Sequence, residues 1–456
     1  MTPLLPAPVA GWPALVYPGG EDWPAEDVAA ALARIRSETL WWPTPKSGAQ
    51  LAEVLTADIA TSDIDPSGFQ HATLPDGHPM GSAAVIAGLA DGDPEDLLRK
   101  SSWIDPWRGS RLSLAEGVEA LSFLHMAARR NRGRFRLIGM SRWKRRSVSP
   151  FLAGPDGTPG DTGAPVVWGA SAEAPEGALR VEDGFLRSVG LGLRHTPPAS
   201  LTFDTEAPYF DATRRNGFET CAEASLLTPA LVERAKRLRA RILDLRLSKY
   251  NLASNNALPA APDGKEAVLV PGQVETDASI RLGARDVRRN EDLIKTARAA
   301  FPDAFLVYKP HPDVLTGLRE GAAPTAAELA DHVEIDASAP DCLDWADRVV
   351  TMTSLMGFEA LMRGKAVTTL GRPFYSGWGL TDDRDPPPRG RRLTLDELVA
   401  VALILYPRYI DPVTRLPAPV EVVVEALAKE MKHANEPTAR MTRLWRNAIS
   451  WVMNRL

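Results

Sequence analysis

Residues 268–279 read Val-Leu-Val-Pro-Gly-Gln-Val-Glu-Thr-Asp-Ala-Ser, and this stretch decides the fold class of the chain. An apolar run stops at a Pro-Gly pair and polar side chains follow it, which is typical of a buried strand that ends in a loop. Open α/β sheets bind their ligands beyond the carboxyl ends of such strands. We therefore take Gln273, Asp277 and Ser279 as candidate site residues.

Two later stretches repeat this pattern. Residues 305–309 run into Pro310-His311-Pro312, and residues 348–353 run into Ser354 and a new helical pattern. Helices and strands alternate here, with helices near 289–301 and 355–363 and strands near 267–270, 304–308, 348–352 and 366–370. Such alternation predicts an α/β fold with a parallel sheet.

An earlier α/β pattern begins near Ser113, where a Ser with a Glu three residues later predicts the capping box of a helix over 113–131. At 456 residues the chain is too long for one ordinary core, so we expect more than one domain. The predicted ranges are a weakly patterned region (1–100), an N-terminal Rossmann-like domain with its linker (101–264), a C-terminal Rossmann-like domain (265–385), and closing helices with a basic amphipathic tail (386–456).

Composition narrows the function classes. Apolar content of 44% and charged content of 24% are those of a soluble globular protein, and a net charge of −5 argues against a general nucleic-acid binder. Two distant cysteines form neither a disulfide framework nor a metal-ligand pattern. With no signal-peptide pattern and no apolar run approaching the roughly 20 residues of a membrane span, we expect a cytoplasmic protein.

The second and third strand ends predict an anion site. The prolines around His311 fix the backbone, so Lys309 and His311 would be held at a rigid strand end. Ser354 is placed as the N-cap of a helix whose first amides can bind phosphate, and Glu359 lies further along that helix. The alternative is an ordinary turn and an ordinary cap. The chain has neither a dinucleotide-binding glycine fingerprint nor a Walker lysine loop.

Carboxylates supply the candidate chemistry. Glu182 and Asp183 follow a strand of the first α/β region, with Arg187 close behind, and Asp277 lies in the loop that opens the second. Two carboxylates facing each other can divide sugar transfer between a nucleophile and an acid/base. Each alone could equally be a turn or cap residue. Because no convincing Asp-x-Asp metal motif is present, we expect a metal-independent reaction without a cofactor.

Seven motifs together resemble one family. They are residues 180–192, 270–280, 308–314, 351–361 and 373–381, extended by 139–144 and 405–412. They resemble the capsular polysaccharide biosynthesis family, and within it the second module of the KpsC-type β-Kdo transferases, where Kdo is 3-deoxy-D-manno-oct-2-ulosonic acid. The resemblance implies a GT-B-like fold of two Rossmann-type domains facing a cleft, with CMP-Kdo as donor. It also implies transfer with retention to an oligo-Kdo linker on a phosphatidylglycerol-type lipid.

The resemblance also implies roles for the candidate residues. Asp277 would be the nucleophile that forms a Kdo adduct, and Glu182 the acid/base, with Asp183 as its rival. Arg187 would lie near the sugar carboxylate. The CMP phosphate would be held by Lys309, His311 and Ser354. If charge on His311 helps to hold phosphate, donor affinity should fall as pH rises through about 6.5.

The chain departs from this family in having room for one transferase module, whereas a KpsC-type protein carries two. It would then need a second Kdo transferase as partner, or act on a different acceptor. Two other functions stay open: a transferase of the same fold using another CMP-sugar such as sialic acid, and a non-catalytic scaffold of capsule export. Over 438–456 the basic, Trp-containing pattern predicts a helix that either lies on the inner membrane surface or packs on the core.

Overall fold

The structure is a computed structural model. It describes residues 9, 12–13, 15–18, 20, 22–38, 99–170, 174–189, 196–249, 251, 258–317 and 319–435. The amphipathic tail predicted over 438–456 lies outside these residues. The described residues form two compact units. The first contains those up to 137 with 144–164 and 413–419, and the second contains those in 138–143, 165–412 and 420–435. Residues 99–137 thus join the N-terminal segment rather than the sheet that follows them.

The first unit packs two helices against a small antiparallel sheet. The sheet has the order β1-β2-β3, with β1 at Val16–Pro18, β2 at Ser101–Ile104 and β3 at Arg111–Leu112. The helices are α1, Ala25–Glu38, and α2, Leu114–Arg130. The capping box predicted for α2 is confirmed, because Ser113 Oγ accepts from the Glu116 amide at 3.4 Å and Glu116 Oε2 accepts from the Ser113 amide at 2.9 Å. Trp103 is the largest side chain of this core.

Two elements lie where the chain passes from the first unit to the second. They are the strand β4, Phe135–Ile138, and the helix α3, Arg142–Leu152. The helix begins within a run of basic residues.

The second unit contains two sheets. The first has the order β14-β7-β6-β5, and its strands are β5 Ala164–Trp168, β6 Leu179–Asp183, β7 Ser200–Asp204 and β14 Arg408–Tyr409. β5 and β6 run parallel, whereas β7 is antiparallel to both of its neighbours. The Tyr406 hydroxyl donates to Asp204 Oδ2 at 2.6 Å, beside the pairing of β14 with β7. Residues close to the C-terminal end of the described chain therefore complete this first sheet.

The second sheet is wholly parallel, as the alternation of helices and strands predicts. Its order is β10-β9-β8-β11-β12-β13. The strands are β8 Ala267–Pro271, β9 Phe305–Lys309, β10 His332–Val333, β11 Arg348–Thr351, β12 Ala366–Thr369 and β13 Asp382–Asp383. Numbered along the chain, this is the 3-2-1-4-5-6 order of a doubly wound Rossmann sheet. The fold is GT-B-like, with two Rossmann-like domains.

Ten helices of the described chain belong to the second unit. They are α4 Gly217–Ala224, α5 Pro229–Asp244, α6 Ala278–Gly283, α7 Asn290–Ala300, α8 Pro312–Leu315, α9 Ala326–Leu329, α10 Ala339–Trp345, α11 Leu355–Met362, α12 Leu395–Val399 and α13 Val420–Asn435. A π-helical turn, Ala400–Leu405, continues α12. Arginines of α5 form ion pairs with Glu421 and Glu425 of α13 and with Asp396 of α12, which ties the closing helices to α5.

Candidate active site

The switch point of the second sheet lies between β8 and β11, where strand order reverses. Gln273, on the loop after β8, bridges this point because its Nε2 donates to Thr353 Oγ1 at 3.0 Å and its Oε1 accepts from the Thr353 amide at 2.9 Å. Gln273 is buried and its amide group is used on protein partners. Gln273 therefore connects the loop after β8 to the loop after β11.

Asp277 is the N-cap of α6. Its Oδ1 accepts from both the amide and the hydroxyl of Ser279, at 2.9 and 2.7 Å. Both bonds fall on one carboxylate oxygen, and among the described residues none falls on Oδ2. Ser279 thus orients Asp277, and one oxygen of Asp277 is fixed while the other has no protein partner in the described chain.

Asn290 holds the loop that carries Asp277, and sequence reasoning missed it. It is fully buried; its Nδ2 donates to the carbonyls of Gln273 and Gly321, both at 2.8 Å, and its Oδ1 accepts from the Gln273 amide at 2.9 Å. The Asn290 amide donates to Glu275 Oε1 at 2.8 Å. An Asn at the start of a helix is so common that the sequence alone does not distinguish this one.

His311 caps the short helix α8. Its Nδ1 accepts from the Asp313 amide at 3.1 Å, so Nε2 carries the proton of the neutral ring. Burial lowers the pKa of His311, and the positive charge of Lys249 acts in the same direction, against the charges of Asp313 and Asp277. This lowered pKa argues against a charged imidazole near pH 6.5. At neutral pH His311 offers a neutral N–H donor.

Lys309 is directed away from this histidine. Its Nζ donates to the carbonyl of Ala337 at 2.6 Å, and its charge helps to lower the pKa of Glu334. The Glu334 carboxylate itself accepts from the amides of Asp336 and Ala337. Lys309 thus belongs to the loop between β10 and α10 rather than to the group around His311.

Ser354 is the N-cap of α11, as predicted. Its Oγ accepts from the Met356 amide at 3.3 Å and its own amide donates to Thr351 Oγ1 at 3.2 Å. The buried Tyr375 hydroxyl donates to the Ser354 carbonyl at 2.6 Å. The cap is held from three sides, so the first turn of α11 has a fixed position beside the switch point.

Glu182 lies on β6, at its carboxyl end. Burial raises the pKa of Glu182 to about 7, and the negative charges of Asp183 and Asp277 act in the same direction. The Asp183 amide, which donates to Glu182 Oε1 at 2.9 Å, and the charge of Lys249 oppose this rise. The first sheet therefore brings Glu182 within electrostatic range of Asp277 from the second. A carboxyl with a pKa near 7 can both give and take a proton at neutral pH.

Asp183 and Arg187 form an ion pair, with Arg187 Nε 2.8 Å from Asp183 Oδ2. Arg187 is almost fully buried, and its Nη1 also donates to Ser188 Oγ at 3.0 Å and to the Thr196 carbonyl at 3.2 Å. The described contacts thus use Arg187 to hold the loop after β6. Asp183 is the ion-pair partner of Arg187, and this distinguishes Asp183 from Glu182.

Glu359 and Lys249 link the two sheets. Glu359 is buried on α11 and its Oε1 accepts from the Lys249 amide at 2.9 Å, while burial raises the pKa of its carboxyl. The Lys249 carbonyl accepts from the amides of Arg187 and Ser188 at 3.2 and 3.3 Å. Glu359 therefore helps to fix the backbone of the segment between the domains. Lys249 adds a positive charge near Glu182 and His311, which the sequence pattern did not reveal.

Of the predicted residues, Glu182, Asp277 and His311 act electrostatically on one another or share Lys249 as a neighbour. Most of the remaining candidates act as helix caps, hydrogen-bond partners of loops or ion-pair partners. Lys309 does not belong to this group, because the Ala337 carbonyl holds it. Within the described ranges no group of three or more His, Cys, Asp or Glu side chains is arranged to hold a metal ion. No helix in the part of the chain that the structure describes is long and apolar enough to cross a membrane.

The fold is GT-B-like, and it brings two carboxylates, an imidazole and a lysine into one electrostatic group. Comparisons with known proteins identify the family. Residues 170–409 match the family of capsule polysaccharide biosynthesis proteins. The chain belongs to this family.

Two curated relatives extend the match. Over 360 residues the chain is 39% identical to the capsule polysaccharide modification protein LipA of Neisseria meningitidis serogroup A, covering 73% of this chain and 51% of that protein. It is 46% identical over 257 residues to the lipopolysaccharide-processing protein LpsZ of Rhizobium meliloti, covering 55% of this chain and 58% of that one. The chain thus spans between half and three fifths of the length of these relatives.

Two solved structures from Thermosulfurimonas dismutans are similar to this one. The KpsC β-Kdo 2,7 transferase matches with a TM-score of 0.54 at 32% identity, covering 65% of this chain and 99% of that one. The KpsC β-Kdo 2,4 transferase matches with a TM-score of 0.52 at 36% identity, covering 58% and 87%. The chain is therefore a KpsC-type capsule biosynthesis protein.

Proposed function

We propose that the chain is a retaining glycosyltransferase that moves Kdo from CMP-Kdo to a lipid-linked oligo-Kdo acceptor. This proposal rests on two carboxylates, Glu182 and Asp277, which come from different sheets and lie within electrostatic range of each other. It also rests on the 32% identity of the chain to a β-Kdo transferase. One carboxylate is oriented with an oxygen unused by the described protein, and the other has a pKa near 7. This asymmetry is what a nucleophile and an acid/base need.

In the proposed reaction Asp277 Oδ2 attacks the anomeric carbon of Kdo. The bond from that carbon to the phosphate oxygen breaks, and CMP leaves with the electron pair. An acceptor hydroxyl then attacks the same carbon and displaces the Asp277 carboxylate, while Glu182 takes the hydroxyl proton. Two inversions give net retention. His311, as a neutral N–H donor, and the first amides of α11 behind Ser354 would bind the donor phosphate.

The proposed acceptor sets the place of action. An oligo-Kdo chain on a phosphatidylglycerol-type lipid lies at the inner face of the inner membrane, so the protein would work peripherally at that surface. The chain would form one type of Kdo linkage, and a second transferase would form the other. We propose that the reaction needs no metal, since Glu182, Asp277 and a phosphate-binding helix supply the required groups.

Incubation with CMP-Kdo and a synthetic Kdo-terminated acceptor tests the proposal, with CMP-sialic acid as a parallel donor. Asp277→Asn, which keeps the cap on Ser279 through its amide oxygen, should abolish transfer and leave the melting temperature within a few degrees of wild type. Asp303→Asn, at an exposed turn, is the matched control. Near-normal transfer by Asp277→Asn would rule out its role as nucleophile, and transfer from CMP-sialic acid alone would replace the donor.

A further inference from the structure

Gly169 is the first residue after β5, and it lies beside the end of β6 that carries Glu182. The two strands run parallel, with Trp168 opposite Val181. The Gly169 amide donates to the Val181 carbonyl at 2.8 Å, and the Gly169 carbonyl accepts from Arg180 Nη1 at 3.4 Å. Both backbone polar groups of Gly169 are therefore bonded to β6, which fixes the position of this glycine next to Glu182.

The two carboxylate oxygens of Glu182 have different surroundings. Oε1 accepts from the Asp183 amide at 2.9 Å, whereas Oε2 has no hydrogen-bond partner among the described residues. A Cβ atom built on Gly169 would lie 3.5 Å from Oε2, and outside its chain neighbours it would meet no other described atom within 4 Å. Because Gly169 has no side chain, one side of the unused carboxylate oxygen stays uncovered.

The proposed reaction brings the acceptor to this oxygen. The acceptor hydroxyl attacks the sugar carbon bound to Asp277, the bond from that carbon to the Asp277 carboxylate breaks, and Glu182 takes the hydroxyl proton. A general base must come within about 2.6–3.2 Å of the oxygen whose proton it takes. Since Oε1 is bonded to the Asp183 amide, Oε2 is the oxygen available for this step. The hydroxyl and the sugar that bears it then need room beside Oε2, and Gly169 leaves room on one side.

The backbone conformation of Gly169 gives a second reason for a glycine at this position. Its φ is +69°, in the left-handed region that favours glycine. Gly177, in the loop that leads to β6, has a φ of +70°, but a Cβ atom there would meet no atom within 4 Å. The two glycines share one constraint on φ, and of the two only Gly169 adjoins a carboxyl group. Substitutions at both positions therefore separate backbone strain from filled space.

The geometry points to Gly169 as a specificity-determining residue for the acceptor: the incoming sugar approaches Glu182 Oε2 across Gly169, and a side chain at this position excludes it. The inference rests on the proposed function, in which Glu182 acts on the acceptor hydroxyl. The groups proposed for the donor phosphate, His311 and the first turn of α11, belong to the second sheet. A side chain at position 169 should therefore hinder the acceptor and leave donor binding unchanged.

The test compares Gly169→Ala and Gly169→Asn with Gly177→Ala and Gly177→Asn, at an exposed position. Asn is chosen because it is longer than Ala and adopts a positive φ more readily than most residues. Gly169→Ala should raise the KM for a Kdo-terminated acceptor roughly fivefold, and Gly169→Asn should lower transfer about a hundredfold, as blocked access to a general base would. The donor KM should stay at the wild-type value. Both Gly177 variants should keep the wild-type acceptor KM.

CMP release without acceptor separates this inference from a loss of folded protein. The first equivalent of CMP leaves when Asp277 takes the sugar, before any acceptor hydroxyl is needed. Gly169→Asn should release it at the wild-type rate while transfer falls. Unfolded protein lowers both rates by the same factor, so an equal loss of both in the two Gly169 variants would overturn the inference.

The wild-type protein separates the inference from the proposed function. If the wild type released no CMP and transferred no Kdo, the proposed function would fail and the inference with it. If the wild type transferred Kdo and both Gly169 variants kept its acceptor KM and rate, the proposed function would stand and the role of Gly169 alone would be refuted.

Discussion

Replacing Glu182 with Gln should make the protein more stable at neutral pH while it destroys transfer. Moving the pKa of this carboxyl from 4.5 to about 7 costs its ionised form about 3 kcal/mol, at about 1.4 kcal/mol for each pH unit. In the wild type the folded state then binds more protons than the unfolded state between these pH values, so the free energy of unfolding falls as pH rises through this window. Gln keeps an oxygen to accept from the Asp183 amide and carries no charge.

The expected difference between Glu182→Gln and wild type is therefore near zero below pH 4.5. It grows to about 3 kcal/mol in favour of the variant above pH 7. Urea unfolding followed by tryptophan fluorescence at pH 4.5, 5.5, 6.5 and 8 measures it, with Glu176→Gln, at an exposed position before β6, as control. Taking the difference cancels the titration of all other groups.

The same variant should lower transfer about 10²–10⁴-fold, the usual contribution of a general acid/base, and the low-pH limb of the wild-type rate profile should lie near pH 7. A stability difference that stays constant from pH 4.5 to 8 would refute the raised pKa. If Glu182→Gln gained stability without losing transfer, the buried Glu182 carboxyl would be destabilising but would take no part in the reaction.

Two further results are expected. His311→Asn can still accept from the Asp313 amide but lacks the Nε2 donor, so it should weaken CMP binding more than fivefold. Because the pKa of the wild-type ring is lowered, this factor should stay constant from pH 6.5 to 8. A factor that shrinks as pH rises would show that the imidazole is charged in the complex. Asn290→Ala should lower the free energy of unfolding by about 2–5 kcal/mol because it leaves buried backbone groups of Gln273 and Gly321 without partners. Thr296→Ala, at a half-buried position of α7, should cost less than about 1 kcal/mol.

The parallel sheet is the part of the fold that the sequence predicts best. Strands such as β8 are buried on both faces and read as unbroken apolar runs that end in Pro-Gly or His-Pro, and these signals are local. The first sheet is harder to predict, because its antiparallel pairing of β6 with β7 and of β7 with β14 depends on residues far apart in the chain. The start of α3 at Arg142 is also hard to predict, because it lies within a run of basic residues that has no apolar periodicity.

The sequence also indicates part of this grouping of charged side chains. Glu182, Asp277 and His311 stand at strand ends and could be named from that position. Lys249 could not, because a lysine in a polar linker has no periodicity or motif around it, and only the folded chain shows its carbonyl and amide bound from two domains. Lys309 follows a strand as a phosphate ligand would, but its bond to the Ala337 carbonyl depends on a loop whose position sequence patterns do not predict.

The pairing of β14 with β7 has a consequence for how this chain is made and how it can be engineered. Arg408 lies opposite Leu201, so the first sheet lacks its edge strand until some two hundred further residues have left the ribosome. On the ribosome, the residues of the second sheet are therefore complete before those of the first. A chimaera that exchanges the parallel sheet for that of a related protein must take residues 408–409 from the protein that supplies the first sheet, because these residues form its edge strand.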